Sequence, residues 1–220
     1  MKTLRLTLSI VCASLLLISG QVFGQSKTDK SNIMPPVKAD NFKEIASQLS
    51  KDGWKTASYT IEEQLVSTAK LKGEMSAVTH DALYLWVMEE NTAANMADAK
   101  EIINIHAVDK LTYQVALSFL SQCQIVLIQK GLSERMRDMN QIVNQIAPMV
   151  VQNNIHKSME IYLEKDKTYT VRTVYMIDKS KVYDILVESC VRDAAGYKEN
   201  AILVDVFKEA LNRMAKQSLR

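Results

Sequence analysis

Residues 159–177 read MEIYLEKDKTYTVRTVYMI, and the alternation in that stretch decides the fold class. Met159, Ile161 and Leu163 alternate with Glu160 and Tyr162, and after the polar run Glu164-Lys165-Asp166-Lys167 the alternation resumes with Tyr169, Val171, Thr173, Tyr175 and Ile177. Side chains of a strand point to opposite faces in turn, so this pattern predicts an antiparallel hairpin. Working upstream, Ala82-Leu83-Tyr84-Leu85-Trp86-Val87-Met88 is apolar at both parities. That suits a third, central strand covered on both faces.

The remaining periodic segments are helical. Phe42, Ile45, Ala46 and Leu49 recur at i, i+3, i+4 and i+7, with Asp40 as a cap and Gly53 as a stop. Trp54–Tyr59 reads as a short extended link, after which Thr60 and Glu63 have the spacing of a capping box for a helix ending at Gly73. Neither proline nor glycine occurs between Thr92 and Lys130, where Val108, Leu111, Val115, Phe119, Cys123 and Val126 form an apolar stripe. One continuous helix there would span about 58 Å at about 1.5 Å per residue, so a break near Asn104 or a protruding arm is expected. Gly131 ends it, Ser133 caps the next helix, and Pro148 closes that one.

Downstream of the hairpin, Asp178 caps a helix broken by Gly196, and Leu203, Phe207, Ala210 and Met214 mark a last one. The expected fold class is α+β: a small, mostly antiparallel sheet of about three strands against several helices, largely on one side. The domain runs over residues 37–220 and includes a helical C-terminal extension at about 197–216.

The N-terminus carries an address. Lys2 and Arg5 precede an apolar run from Leu6 to Ile18, and Val22-Phe23-Gly24 supplies tolerated residues at −3 and −1, so cleavage is expected between Gly24 and Gln25. Residues 1–24 read as a signal peptide and 25–36, polar and ending in Pro35-Pro36, as a flexible linker. Cys12, the one candidate for lipidation, sits inside the apolar run after Val11 and lacks the usual small neighbour. No later segment is read as an integral membrane span. The expected location is therefore the periplasm or the periphery of the outer membrane.

Loss of Lys2 and Arg5 leaves 25 basic against 25 acidic residues. A neutral chain argues against nucleic acid as a partner, because phosphate recognition needs a basic excess. Two cysteines remain, Cys123 and Cys190, too far apart in sequence for a CxxC motif. They could form one disulfide in an oxidising compartment, although each lies in an apolar helical stretch where a thiol is a small buried hydrophobe.

Chemistry-bearing constellations are absent from the sequence pattern. His80, His106 and His156 are scattered and match no zinc spacing. The glycines after residue 24 are Gly53, Gly73, Gly131 and Gly196, each at an element end, which excludes a phosphate-cradling loop and a nucleophile elbow. Glu62-Glu63 and Glu89-Glu90 are adjacent pairs that side-chain geometry splays apart. Met136, Met139 and Met149 fit core filling better than thioether coordination of copper. No catalytic, cofactor or metal residue is predicted.

Asp52-Gly53-Trp54-Lys55, then Glu63-Gln64-Leu65, an apolar strand, an alanine-bearing long helix and a late hairpin resemble a group of uncharacterised secreted proteins of Bacteroidetes-type bacteria. These are distantly similar to the twenty-kilodalton outer-membrane lipoprotein family and to the N-terminal domain of the flagellar assembly protein FlgT. The resemblance implies a structural or assembly role in the envelope, with no known catalytic residues to carry over. The sustained apolar stripe of the long helix, more than a small sheet can cover, separately leads us to expect a non-enzymatic protein that contacts an envelope protein or self-associates. The alternative expectation is a periplasmic module that binds a small ligand or peptidoglycan fragment in a pocket between sheet and helices.

Overall fold

The computed structural model describes residues 41–75 and 81–217. Residues 1–36, read from the sequence as signal peptide and linker with cleavage expected between Gly24 and Gln25, lie outside the described residues, as do Cys12, Asp40 and His80. The described residues form six α-helices and three strands: α1 (Phe42–Lys51), α2 (Ile61–Gly73), β1 (Tyr84–Ala93), α3 (Met96–Gln129), α4 (Met136–Asn154), β2 (His156–Lys165), β3 (Thr168–Asp178), α5 (Lys179–Ala195) and α6 (Ala201–Gln217). The fold is α+β.

The hairpin is β2–β3, and its turn is tighter than the four polar residues suggest. Lys165 pairs with Thr168, and the two residues between them, Asp166 and Lys167, have φ of 51° and 62°. Two consecutive left-handed residues make a type I′ connection, whose twist matches that of the strands. β2 also carries a bulge at Ser158, between the pairs Lys157–Tyr175 and Met159–Val174. The displaced Ser158 carbonyl accepts a hydrogen bond from Thr68 of α2 at 3.0 Å.

All pairs are antiparallel and the order is β1-β3-β2, so β3 is central and β1 is an edge strand. The expectation of a central strand at 82–88 is thus corrected. β1 also runs five residues further, through Glu89-Glu90-Asn91-Thr92-Ala93, because each of these polar residues pairs with β3 and two find charged partners. Glu89 points inward to Lys110 of α3, and Glu90 outward to Arg172. Trp86, 44% exposed, is covered by the Lys72 ammonium of α2 at 3.5 Å from the ring centroid.

Helices lie on both sides of the sheet rather than largely on one. α1 packs on α2, which lies against β2, where Phe42, Ile61 and Leu65 are buried on the side of the sheet that carries Met159, Ile161 and Val174. The capping box of α2 forms as expected: the Thr60 hydroxyl accepts from the Glu63 N–H, and the Glu63 carboxylate accepts from the Thr60 N–H. The link ahead of it is extended only at Lys55, whose backbone exchanges two hydrogen bonds with Tyr162.

The main core lies on the other face. α3 is unbroken through Asn104, about 51 Å long at about 1.5 Å per residue. Its buried residues Ala99, Ile103, Ala107 and Leu111 continue without interruption into Val115, Phe119, Cys123 and Val126. The N-terminal part rests on β1 and β3 and the C-terminal part on α4 and α6, so both halves have something to cover and no break is required. Contrary to the sequence reading, α3 is by length and composition apolar enough to cross a membrane, although 39% of its most apolar 18-residue window is buried inside this fold.

Two more boundaries differ. Ser133 opens a 3-10 turn and makes no side-chain cap. Pro148 does not close α4, which continues to Asn154. A proline inside a helix forfeits the hydrogen bond to the carbonyl four residues back, here Asn144. Asn144 and Pro148 are both exposed, so water reaches the freed carbonyl, while buried Ile146, Ala147, Val150 and Val151 hold the last turns on the core. α6 belongs to that core: Leu203, Val206, Phe207 and Ala210 are buried, and the Phe207 ring stacks on Phe119 with centroids 6.0 Å apart.

Candidate functional site

α3 spends one side on the core and leaves another apolar side outside. Ile102, Ile105, Tyr113 and Leu117 are 37%, 51%, 54% and 42% exposed. Three or four residues per step is the spacing of neighbours on a helix surface, so Ile102, Ile105, Tyr113 and Leu117 follow one side along about four turns, with Asp109 between them. A helix polar on its outer face would signal nothing; exposed apolar side chains gathered on one side, here with a single carboxylate among them, mark a contact surface. Where α3 runs beside α4 the stripe deepens into a groove of about 320 Å³, lined by Asp109, Tyr113, Leu117 and Leu120 from α3 and by Asn144 and Pro148 from α4. Pro148 has no N–H, so it cannot donate to the Asn144 carbonyl at this edge of the groove.

A second unusual feature lies beneath α3. Glu89, Thr173 and Glu160 are register partners across β1, β3 and β2, so they share one face of the sheet. Lys110 and Lys100 reach down from α3 to the two carboxylates, at 2.7 Å and 2.5 Å. Burial raises the Glu160 pKa, but hydrogen bonds from Lys100 and Lys157 outweigh it and hold the carboxyl below its usual value. The Thr173 hydroxyl and the Tyr175 hydroxyl beside it, both in side chains almost wholly buried, have no hydrogen-bond partner among the protein atoms. Burial, then the Glu160 and Glu89 carboxylates, push the Tyr175 phenol up to about 12. Glu89, Thr173 and Tyr175 are buried beneath α3, whereas the Lys110 and Lys100 side chains above them are 59% and 31% exposed.

The residues singled out from the sequence do not converge. His106 is exposed on α3, and His156 is exposed at the start of β2 with its ring edge-on to Tyr84. Among the described residues no three of His, Cys, Asp and Glu are grouped to hold a metal. Glu63 serves the helix cap, and Glu89 and Glu90 point to opposite sides of a strand, not of a helix. Met139 is buried, Met136 is half-buried against the core and Met149 is exposed. Trp54 lies under the Arg172 guanidinium at 4.6 Å.

Cys123 and Cys190 are both free and buried in the same core. Burial and the neighbouring Cys190 raise the Cys123 thiol far above its ordinary value, and burial followed by Asp193 pushes Cys190 up to about 12. Neither thiol is poised as a nucleophile, which would need a lowered pKa. The exposed side of α3 was the feature that sequence reasoning located only as an over-long apolar stripe; which side faces out depended on where α4, α6 and the sheet sit. Compared with family models, curated proteins and solved structures, the chain matches none of them.

Proposed function

We propose that the protein is an exported cell-envelope component with a structural or assembly role, working by protein contact and not by catalysis. Its contact element is the outer side of α3 with the Pro148 turn of α4. The observation that carries this reading is the exposed row Ile102, Ile105, Tyr113 and Leu117 on a helix whose opposite side already fills the core. Covering such a row removes apolar surface from water, at about 25 cal/mol per Å². Export rests on Lys2, Arg5, the Leu6–Ile18 run and Val22-Phe23-Gly24. The resemblance to secreted and outer-membrane families points the same way.

The test is photo-crosslinking in the native host, with the reactive group at position 117 and, as a control, at exposed Glu188 on α5. The expected result is an envelope protein, or a second copy of the chain, captured from position 117 and not from 188. The chain recovered from cells should begin at Gln25. Equal capture at both positions, or a chain that retains Met1 in the cytosolic fraction, overturns the proposal.

A further inference from the structure

A cleft of about 660 Å³ opens away from the α3–α4 groove, where the segment leading into β1 meets α3, α5 and the end of α6. Its volume lies within the range of small-molecule sites, roughly 300–1,000 Å³. One wall is apolar, with Leu83 ahead of β1 facing Leu211 and Met214 of α6. Tyr183 of α5 forms the floor: only 4% exposed, it is hydrogen-bonded through its hydroxyl to Ser118 of α3, and burial raises its pKa. This neutral hydroxyl pair is thus held in place before anything binds. Asn212 of α6, exposed on the lining, presents a carboxamide. A carboxamide both donates and accepts, which is the complement of a peptide group.

The rim carries charges of both signs. Lys179, first residue of α5, is fixed by its own N–H donating to the Leu83 carbonyl at 2.8 Å. Its ammonium stands 3.9 Å from the Asp81 carboxylate, beyond hydrogen-bond length, so that contact does not consume its donors. Asp184 stands one turn along α5 on the same lining. One cation against two carboxylates disfavours a phosphate or another simple anion. An open, mixed lining disfavours a long acyl chain, which needs an enclosed apolar sleeve.

We infer that this cleft binds a short zwitterionic peptide of about two to three residues with apolar side chains. Lys179 takes the terminal carboxylate, Asp184 the terminal ammonium, exposed Asn212 the amide between them, and the Leu83–Leu211–Met214 wall the side chains. The site stands apart from the contact side of α3 and does not depend on it.

The experiment is a titration of the full-length chain with leucyl-leucine and, separately, with its N-acetylated, C-amidated form, followed by amide NMR shifts. Leucyl-leucine should give saturable shifts at Ser118, Tyr183 and Asn212, and the capped form should bind at least about tenfold more weakly. Lys179→Met should weaken the free dipeptide about tenfold and leave the capped form unchanged. Ala215→Trp, a change at an exposed position at the cleft mouth that should not disturb folding, should weaken both. Leu117→Glu should alter neither. Absence of saturable shifts, equal affinity for the free and capped peptides, or shifts unaffected by both Lys179→Met and Ala215→Trp would overturn the inference.

Discussion

Thr173→Val should make the protein more stable. Thr173 is fully buried in the central strand between Glu89 and Glu160, and its hydroxyl has no partner among the protein atoms. A buried polar group without a hydrogen bond costs about 1–3 kcal/mol. Valine keeps the shape, replaces the hydroxyl by a methyl and favours a strand, so a gain of about 1–2 kcal/mol is expected. For a domain of this size each kcal/mol moves Tm by about 2–4 °C, giving a rise of roughly 2–8 °C. Thermal and urea unfolding followed by circular dichroism should show it, with an unchanged urea slope. Thr170→Val is the control, because its hydroxyl pairs with Thr92 at 2.8 Å and its loss should lower Tm slightly. A fall in Tm for Thr173→Val would refute the reasoning and mean that the hydroxyl is satisfied by an internal water linking it to the seam.

Three further predictions follow from local geometry. Lys167→Gly should stabilise by about 1 kcal/mol, read as a higher urea midpoint, because a side chain at φ 62° strains the hairpin turn and glycine does not. Pro148→Ala should raise stability by at least about 1 kcal/mol by restoring the bond to Asn144, while weakening capture at position 117; no gain in stability would show that α4 has fully adapted to its proline. The Glu160 pKa is lower folded than unfolded, so its ionised form adds stability above the unfolded value of about 4.3, and that stability is lost as pH falls through the folded value. Glu160→Gln should therefore flatten the acid limb of a Tm-against-pH curve, and an unchanged limb would remove Glu160 from the account.

The hairpin was legible because alternation and a polar turn are local signals, and the caps at Thr60 and Asp178 were legible for the same reason. The extent of β1 was not. The apolar run ends at Met88, and nothing local carries the strand on through Glu89-Glu90-Asn91; Lys110, 21 positions away, and Arg172, 82 away, supply the charges that let those carboxylates sit in it. Strand order was equally hidden: a run apolar at both parities fits a central strand, yet Trp86 owes its cover to Lys72 on α2, and only the pairing places β1 at the edge. Pro148 misled because the rule that proline ends a helix assumes that nothing beyond it is anchored, and Val150 and Val151 are buried. The outer side of α3 could be suspected from its excess of apolar residues, but choosing Tyr113 and Leu117 over Leu111 and Val115 required the neighbours.

The shared use of α3 has a mechanical corollary. One rod serves as backing for the sheet at its first turns and as a wall of the helical cluster at its last, with no joint where the two could part. Melting either end strips the other of its support, so heating should dissolve the whole body in a single step, and a chain cut after the hairpin should collapse rather than persist as a smaller domain.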